Sequence, residues 1–131
     1  MLTEKDYCDY ETCVALKELY FNSLVDWYFN EDKRIVSSLA RYRNTYIPRI
    51  SLYEAQKWLR EEKGIVVDVS FSPMEYFATI YINVRQTHSD KMYEFDRRVY
   101  AEGGDSYEEA LLEGIKEAVK LLKEERKWFG L

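Results

Sequence analysis

The chain has 131 residues, 47% of them apolar and 33% charged, which suits one compact domain with a single sizeable core. Its 24 Asp and Glu outweigh 19 Lys and Arg, and the formal charge of −5 disfavours nonspecific binding of the whole protein to nucleic acid or to a membrane surface. No basic stretch followed by an apolar run opens the sequence, and no window approaches the roughly 18 apolar residues of a membrane span, so an unexported, cytoplasmic protein with no membrane contact is expected.

Asp9 is placed to cap a first helix through about Leu19, with Cys13, Leu16 and Leu19 on one side. Cys8 and Cys13 are the only cysteines, no disulfide-dense spacing appears in a chain large enough to hold a core without staples, and reduced thiols are expected. Val25–Phe29 and Ile35–Val36 flank the polar run Asn30-Glu31-Asp32-Lys33, which predicts a short hairpin. Between Asp32 and Glu54 there is no acidic residue, whereas Lys33, Arg34, Arg41, Arg43 and Arg49 occur, interleaved with Tyr42 and Tyr46. Pro48 disfavours helix at the residue before it, so Arg41 to Arg49 reads as an extended or irregular connector.

Ser51 with Glu54 makes a capping-box pattern. Leu52, Ala55, Gln56 and Leu59 trace one helix face, and Gly64 is placed to end that helix in the left-handed conformation. Ile65–Phe71 alternates as a half-buried strand, and Ser72-Pro73-Met74-Glu75 turns the chain. In the next strand Tyr76, Ala78, Ile80, Ile82 and Val84 oppose Phe77, Thr79, Tyr81 and Asn83. After the polar loop around His88, a third strand from Met92 sets Tyr93, Phe95 and Val99 against Glu94, Asp96, Arg98 and Tyr100.

Gly103-Gly104 breaks that strand, and Asp105 or Ser106, with Glu108 or Glu109, opens the last helix. Tyr107, Ala110, Leu111, Gly114, Ile115, Ala118, Leu121 and Leu122 recur at helical spacing. Gly114 there predicts a close helix-to-strand approach, since glycine in a helix interior costs about 1 kcal/mol relative to alanine. The fold class is therefore α+β. An α-β-β-β-α core with a three-stranded antiparallel sheet fills 51–125, an N-terminal helix and hairpin precede it in 1–50, and a tail of 126–131 follows, all in one domain.

Two resemblances attach to these residues. Cys13–Leu19, Ser51–Arg60 and Ser106–Ala110 are similar to a group of small uncharacterised proteins of gut Bacteroidetes and their prophages or mobile elements. That resemblance implies a cytoplasmic or phage-associated setting and no assigned activity. The group is expected to carry glycine and phenylalanine after the first helix, where this chain has Tyr20-Phe21. In topology alone, the core is similar to the double-stranded-RNA-binding domain, whose last helix opens with phosphate-contacting lysines. Here the matching positions are Ser106, Glu108 and Glu109, and two carboxylates there would repel phosphate.

Chemistry-bearing constellations are sparse. His88 has neighbouring Thr87, Ser89 and Asp90 but no assignable nucleophile, and two cysteines with one distant histidine do not make a zinc set. Asp68 and Asp96, both within strands, could converge on the sheet surface. No phosphate-cradling glycine loop is present, and no metal or other cofactor is expected.

The sequence thus points to a non-enzymatic accessory or protein-interaction module, with a protein partner or a second copy as ligand. Phe77, Tyr81, Met92, Arg98 and Tyr100 of the sheet face are the candidate partner-binding residues. The alternative is nucleic-acid or acidic-partner binding through Arg41, Tyr42, Arg43, Tyr46 and Arg49, where arginine grips phosphate and tyrosine stacks on bases. The ordinary role for those arginines is pairing with the protein's own acids. Trp128-Phe129 offers a possible docking tail or a segment that packs back on the domain.

Overall fold

The computed structural model describes residues 2–39, 43–87 and 92–128, with side chains through Glu125. Helices and antiparallel sheets are mixed, as expected for an α+β chain. The residues gather into two compact units, 1–55 and 56–131, and the division falls in the first turn of the second α-helix.

In the first unit a short helical turn over Glu4–Asp6 precedes α1, Tyr10–Glu18. Asp9 caps α1 by accepting from the Thr12 N–H at 2.8 Å, and Cys13, Leu16 and Leu19 are buried, as the spacing predicts. The helix stops on Tyr20, which takes the left-handed conformation at φ 69°, while the Phe21 N–H reaches back to the Leu16 carbonyl at 3.0 Å. The stop that glycine makes easily is therefore made here by a tyrosine.

Strands β1 (Trp27–Phe29) and β2 (Ile35–Ser37) form the predicted hairpin, with Phe29 opposite Ile35. Its turn is held by Asn30 Oδ1, which accepts from the Asp32 and Arg34 N–H groups at 2.9 Å each. The connector, expected to be extended or irregular, is extended at its end and also joins the sheet. Ile47–Pro48 forms a third strand, β3, beside β1, giving the order β2-β1-β3. Proline is tolerated because this strand lies at the sheet edge, and the Arg49 N–H carries the pairing on to the Trp27 carbonyl at 2.9 Å.

Ser51 Oγ accepts from the Glu54 N–H at 3.1 Å and so opens α2, Leu52–Lys63. Gly64, at φ 63°, ends that helix as predicted. In the second unit β4 (Val66–Phe71), β5 (Tyr76–Ile82) and β8 (Arg97–Tyr100) make an antiparallel sheet of order β4-β5-β8. Between β5 and β8 the chain forms a small ribbon of β6 (Arg85–Gln86) and β7 (Tyr93–Glu94).

The final helix, α3 (Tyr107–Trp128), lies against β4 and β5 with Ala110, Leu111, Ile115, Ala118 and Val119 buried. A Cβ on Gly114 would come within 2.5 Å of Val67 Cγ1 and 2.8 Å of Ala78 Cβ, so the close approach inferred from this glycine is present. Val67, Ala78 and Ile80 thus line the helix-covered face of the sheet.

The expected third strand, continuous from Met92, is interrupted. Asn83 takes φ 57°, and β5 ends at Ile82. Ile82 still pairs with Arg97 and Arg85 with Glu94, three residues further on each side, so register is kept and no residue is inserted. The hairpin is one long ribbon bent at Asn83, a residue type that tolerates the left-handed conformation better than most.

Candidate functional site

Cross-strand register brings four of the five predicted partner-binding residues onto one sheet face. Phe77, Thr79 and Tyr81 alternate along β5, with Tyr81 opposite Arg98 and Thr79 opposite Tyr100. Arg98 and Tyr100 are exposed, Phe77 and Tyr81 half-buried, and Thr79 is closed off at 5% exposure. Met92 is also exposed but sits outside this sheet, next to the β6–β7 ribbon, where its carbonyl accepts from the Thr87 N–H at 2.7 Å. The bend at Asn83 separates it from Arg98 and Tyr100.

The same bend brings in residues that strand periodicity assigns to the helix-covered face. Phe95 meets Tyr81 edge-on, with ring centroids 4.8 Å apart, and Phe95 and Tyr93 remain 43% and 69% exposed. Val66, Tyr81, Val84, Tyr93 and Phe95, with Arg60 and Glu61 of α2, line a depression of about 660 Å³. Asn83 is the signal for this in the sequence, since asparagine is depleted in strands.

A polar clasp holds the bend. Asn83 Nδ2 donates to Asp96 Oδ2 at 2.5 Å, Arg85 Nη1 to Asp96 Oδ1 at 2.9 Å, and Arg85 Nε to Glu94 Oε1 at 3.1 Å. The Asn83 amide, and then the Arg85 guanidinium, hold the Asp96 carboxyl below its ordinary value, and Asp96 in turn raises Arg85. Asp68, by contrast, is opposite Thr79, while Asp96 has been drawn to the far end of β5. The span from Thr79 to Asn83 along β5 is about 13 Å, so the two carboxylates do not converge. Among the described residues no group of His, Cys, Asp and Glu is arranged to hold a metal ion.

Of the three arginines in 41–49, the two that are described, Arg43 and Arg49, each have an acidic partner within the chain. Arg49 stacks 3.8 Å from the Tyr7 ring centroid and pairs with Glu4 at 2.9 Å, with its own side chain only 12% exposed. Arg43 lies 3.8 Å from Glu31. Lys17 Nζ donates to the carbonyls of Asn44 and Tyr46, the second at 2.8 Å, which pins this loop and leaves the Tyr46 ring half-buried. Arg41 and Tyr42 lie outside the described residues, as do His88, Phe129 and the side chain of Trp128.

Cys8 and Cys13 are buried free thiols. Interaction with Cys13, then burial, pushes the Cys8 thiol well above its ordinary value; Cys13 is lowered, first by Cys8 and then by accepting from the Ile50 N–H at 3.5 Å, while its own thiol donates to the Cys8 carbonyl at 3.8 Å. At the start of α3, Ser106 Oγ accepts from the Glu109 N–H at 3.1 Å and Glu109 Oε2 from the Asp105 N–H at 2.8 Å. Glu109 therefore closes the helix end that a phosphate would otherwise occupy.

No helix among the described residues is long and apolar enough to cross a membrane. Comparison of the chain with family models, curated proteins and solved structures gives no match.

Proposed function

We propose that this chain is a non-enzymatic protein-interaction module whose contact surface is the aromatic face of its second unit. The observation that carries the reading is the Tyr81–Phe95 pair with exposed Tyr93, which together line an open depression of about 660 Å³. Exposed aromatic side chains at a concave site supply large contact area at a small entropic cost, which is the composition of protein-binding surfaces. In this reading Arg98 and Tyr100 extend the surface and Phe77 lies further along the same face, whereas Met92 stands apart beside the ribbon.

The run 51–125 then acts as an α-β-β-β-α scaffold, similar in topology to a double-stranded-RNA-binding domain but without its lysines. A cytoplasmic accessory role in a phage or mobile-element setting, with a second copy as one form of partner, belongs to the same proposal. The alternative, nucleic-acid binding through residues 41–49, is weakened because Arg43 and Arg49 are matched with Glu31 and Glu4.

A peptide-display library selected against the intact chain, with counter-selection on a Tyr93→Ser/Phe95→Ser variant, tests the reading. The expected result is a set of peptides enriched on the unaltered chain and lost on the variant. Enrichment indifferent to the double substitution would contradict it.

A further inference from the structure

We infer that the free edge of β8 receives an extended acidic segment of a partner as an added antiparallel or parallel strand, an inference that rests on the protein-interaction reading above. β8 is the last strand in the order β4-β5-β8 and pairs on one side only. The Ala101 N–H bonds the Ala78 carbonyl at 3.1 Å, which fixes the phase of the ladder. Residues 97, 99 and 101 direct their backbone groups to β5, and Arg98 and Tyr100 direct theirs outward.

Opposite β8, the phase agrees. Gln56 Nε2 takes the outward Val67 carbonyl of β4 at 2.8 Å, so Thr79 and Tyr81 of β5 bond β4 and the residues between them bond β8. Among the described residues nothing bonds the outward N–H and C=O of Arg98 or Tyr100, and both side chains are exposed. An unpaired row of this kind is a template for another strand.

Charge selects the occupant. Arg43, Arg49 and Arg85 each have a carboxylate partner, whereas among the described residues Arg97 and Arg98 have none within salt-bridge distance. Asp96, their neighbour, is already held by Asn83 and Arg85. A second copy of β8 laid on this edge would bring adjacent arginines of both copies together, which is destabilising. A strand with a carboxylate opposite Arg98 and an apolar residue beside half-buried Val99 matches both faces.

The test uses fluorescein-labelled peptides of four Glu-Val or four Lys-Val repeats, binding to the whole chain followed by anisotropy. The Glu-Val peptide is expected to bind about tenfold or more tightly than Lys-Val, with Arg98→Glu erasing that preference. Tyr100→Pro and Tyr100→Ala both remove the ring and leave the β5 ladder untouched, but only proline removes the outward N–H, so Tyr100→Pro should bind about tenfold more weakly than Tyr100→Ala. A Glu-Val peptide N-methylated at alternate residues gives the same readout on the unaltered chain, and its binding should be lost. Equal binding of the methylated peptide, or no preference for acid, overturns strand addition. Failure of Glu-Val while display-selected peptides still bind rejects the edge and keeps the interaction reading; failure of both rejects the reading itself.

Discussion

Gly114→Ala sets two quantities of known sign against each other. Alanine in a helix interior is favoured over glycine by about 1 kcal/mol. The added methyl, however, would sit 2.5 Å from Val67 Cγ1 and 2.8 Å from Ala78 Cβ, against the roughly 3.5–4.0 Å of an ordinary carbon contact. Val67 and Ala78 are buried at 2% and 0% exposure, so neither can swing into solvent, and α3 must retreat from the sheet together with Leu111 and Ile115. Overpacking of this kind costs about 1–3 kcal/mol, and two simultaneous overlaps with short side chains place it at the upper end.

The expected net effect is a loss of about 1–2 kcal/mol, read as a lower urea midpoint with unchanged slope by circular dichroism. Ala78→Gly in the same chain should recover part of that loss, appearing as a favourable coupling in a double-mutant cycle. A gain of about 1 kcal/mol for Gly114→Ala alone would mean that propensity acts unopposed and that α3 does not approach the sheet this closely.

Tyr20→Gly should raise stability by about 1 kcal/mol, because the left-handed conformation at φ 69° strains a tyrosine and not a glycine; an unchanged or lower urea midpoint would refute the strain. For Asp96, the folded carboxyl titrates below its ordinary 3.8, so its stabilisation of the bend is fully present above that value and is lost as pH falls through the lower folded one. Carboxyl-carbon NMR should show that depressed midpoint, and a midpoint at or above 3.8 would remove the clasp. Mixed single- and double-stranded DNA and RNA at low ionic strength should give no binding whose logarithm falls steeply with salt, since Arg43 and Arg49 already have partners; a slope equivalent to several phosphates would restore residues 41–49 as a site.

Local chemistry made much of the framework legible. Asp9, Ser51 and Ser106 each do as helix caps what their positions predict, Gly64 ends α2, and the Asn30–Lys33 turn joins two paired strands. These depend on a few neighbouring residues, which a sequence displays directly. Pairing of Ile47–Pro48 with β1 was not legible, because it joins segments about twenty residues apart and a proline argues against a strand unless the edge position is known. Side-chain alternation places Tyr93 and Phe95 on the buried face because it presumes an unbent strand, and one left-handed residue, Asn83, breaks that premise. Arg49 shows a different limit: a run of basic residues in sequence says nothing of Glu4, forty-five positions away, that neutralises it.

The aromatic face of the second unit is the proposed partner-binding surface. Amide and side-chain NMR shifts of the intact chain, titrated with the strongest display-selected peptide, test it most directly. Perturbations centred on Tyr81, Tyr93, Phe95, Arg98 and Tyr100 are predicted; a footprint on residues 41–49, or shifts without a contiguous locus, would contradict it.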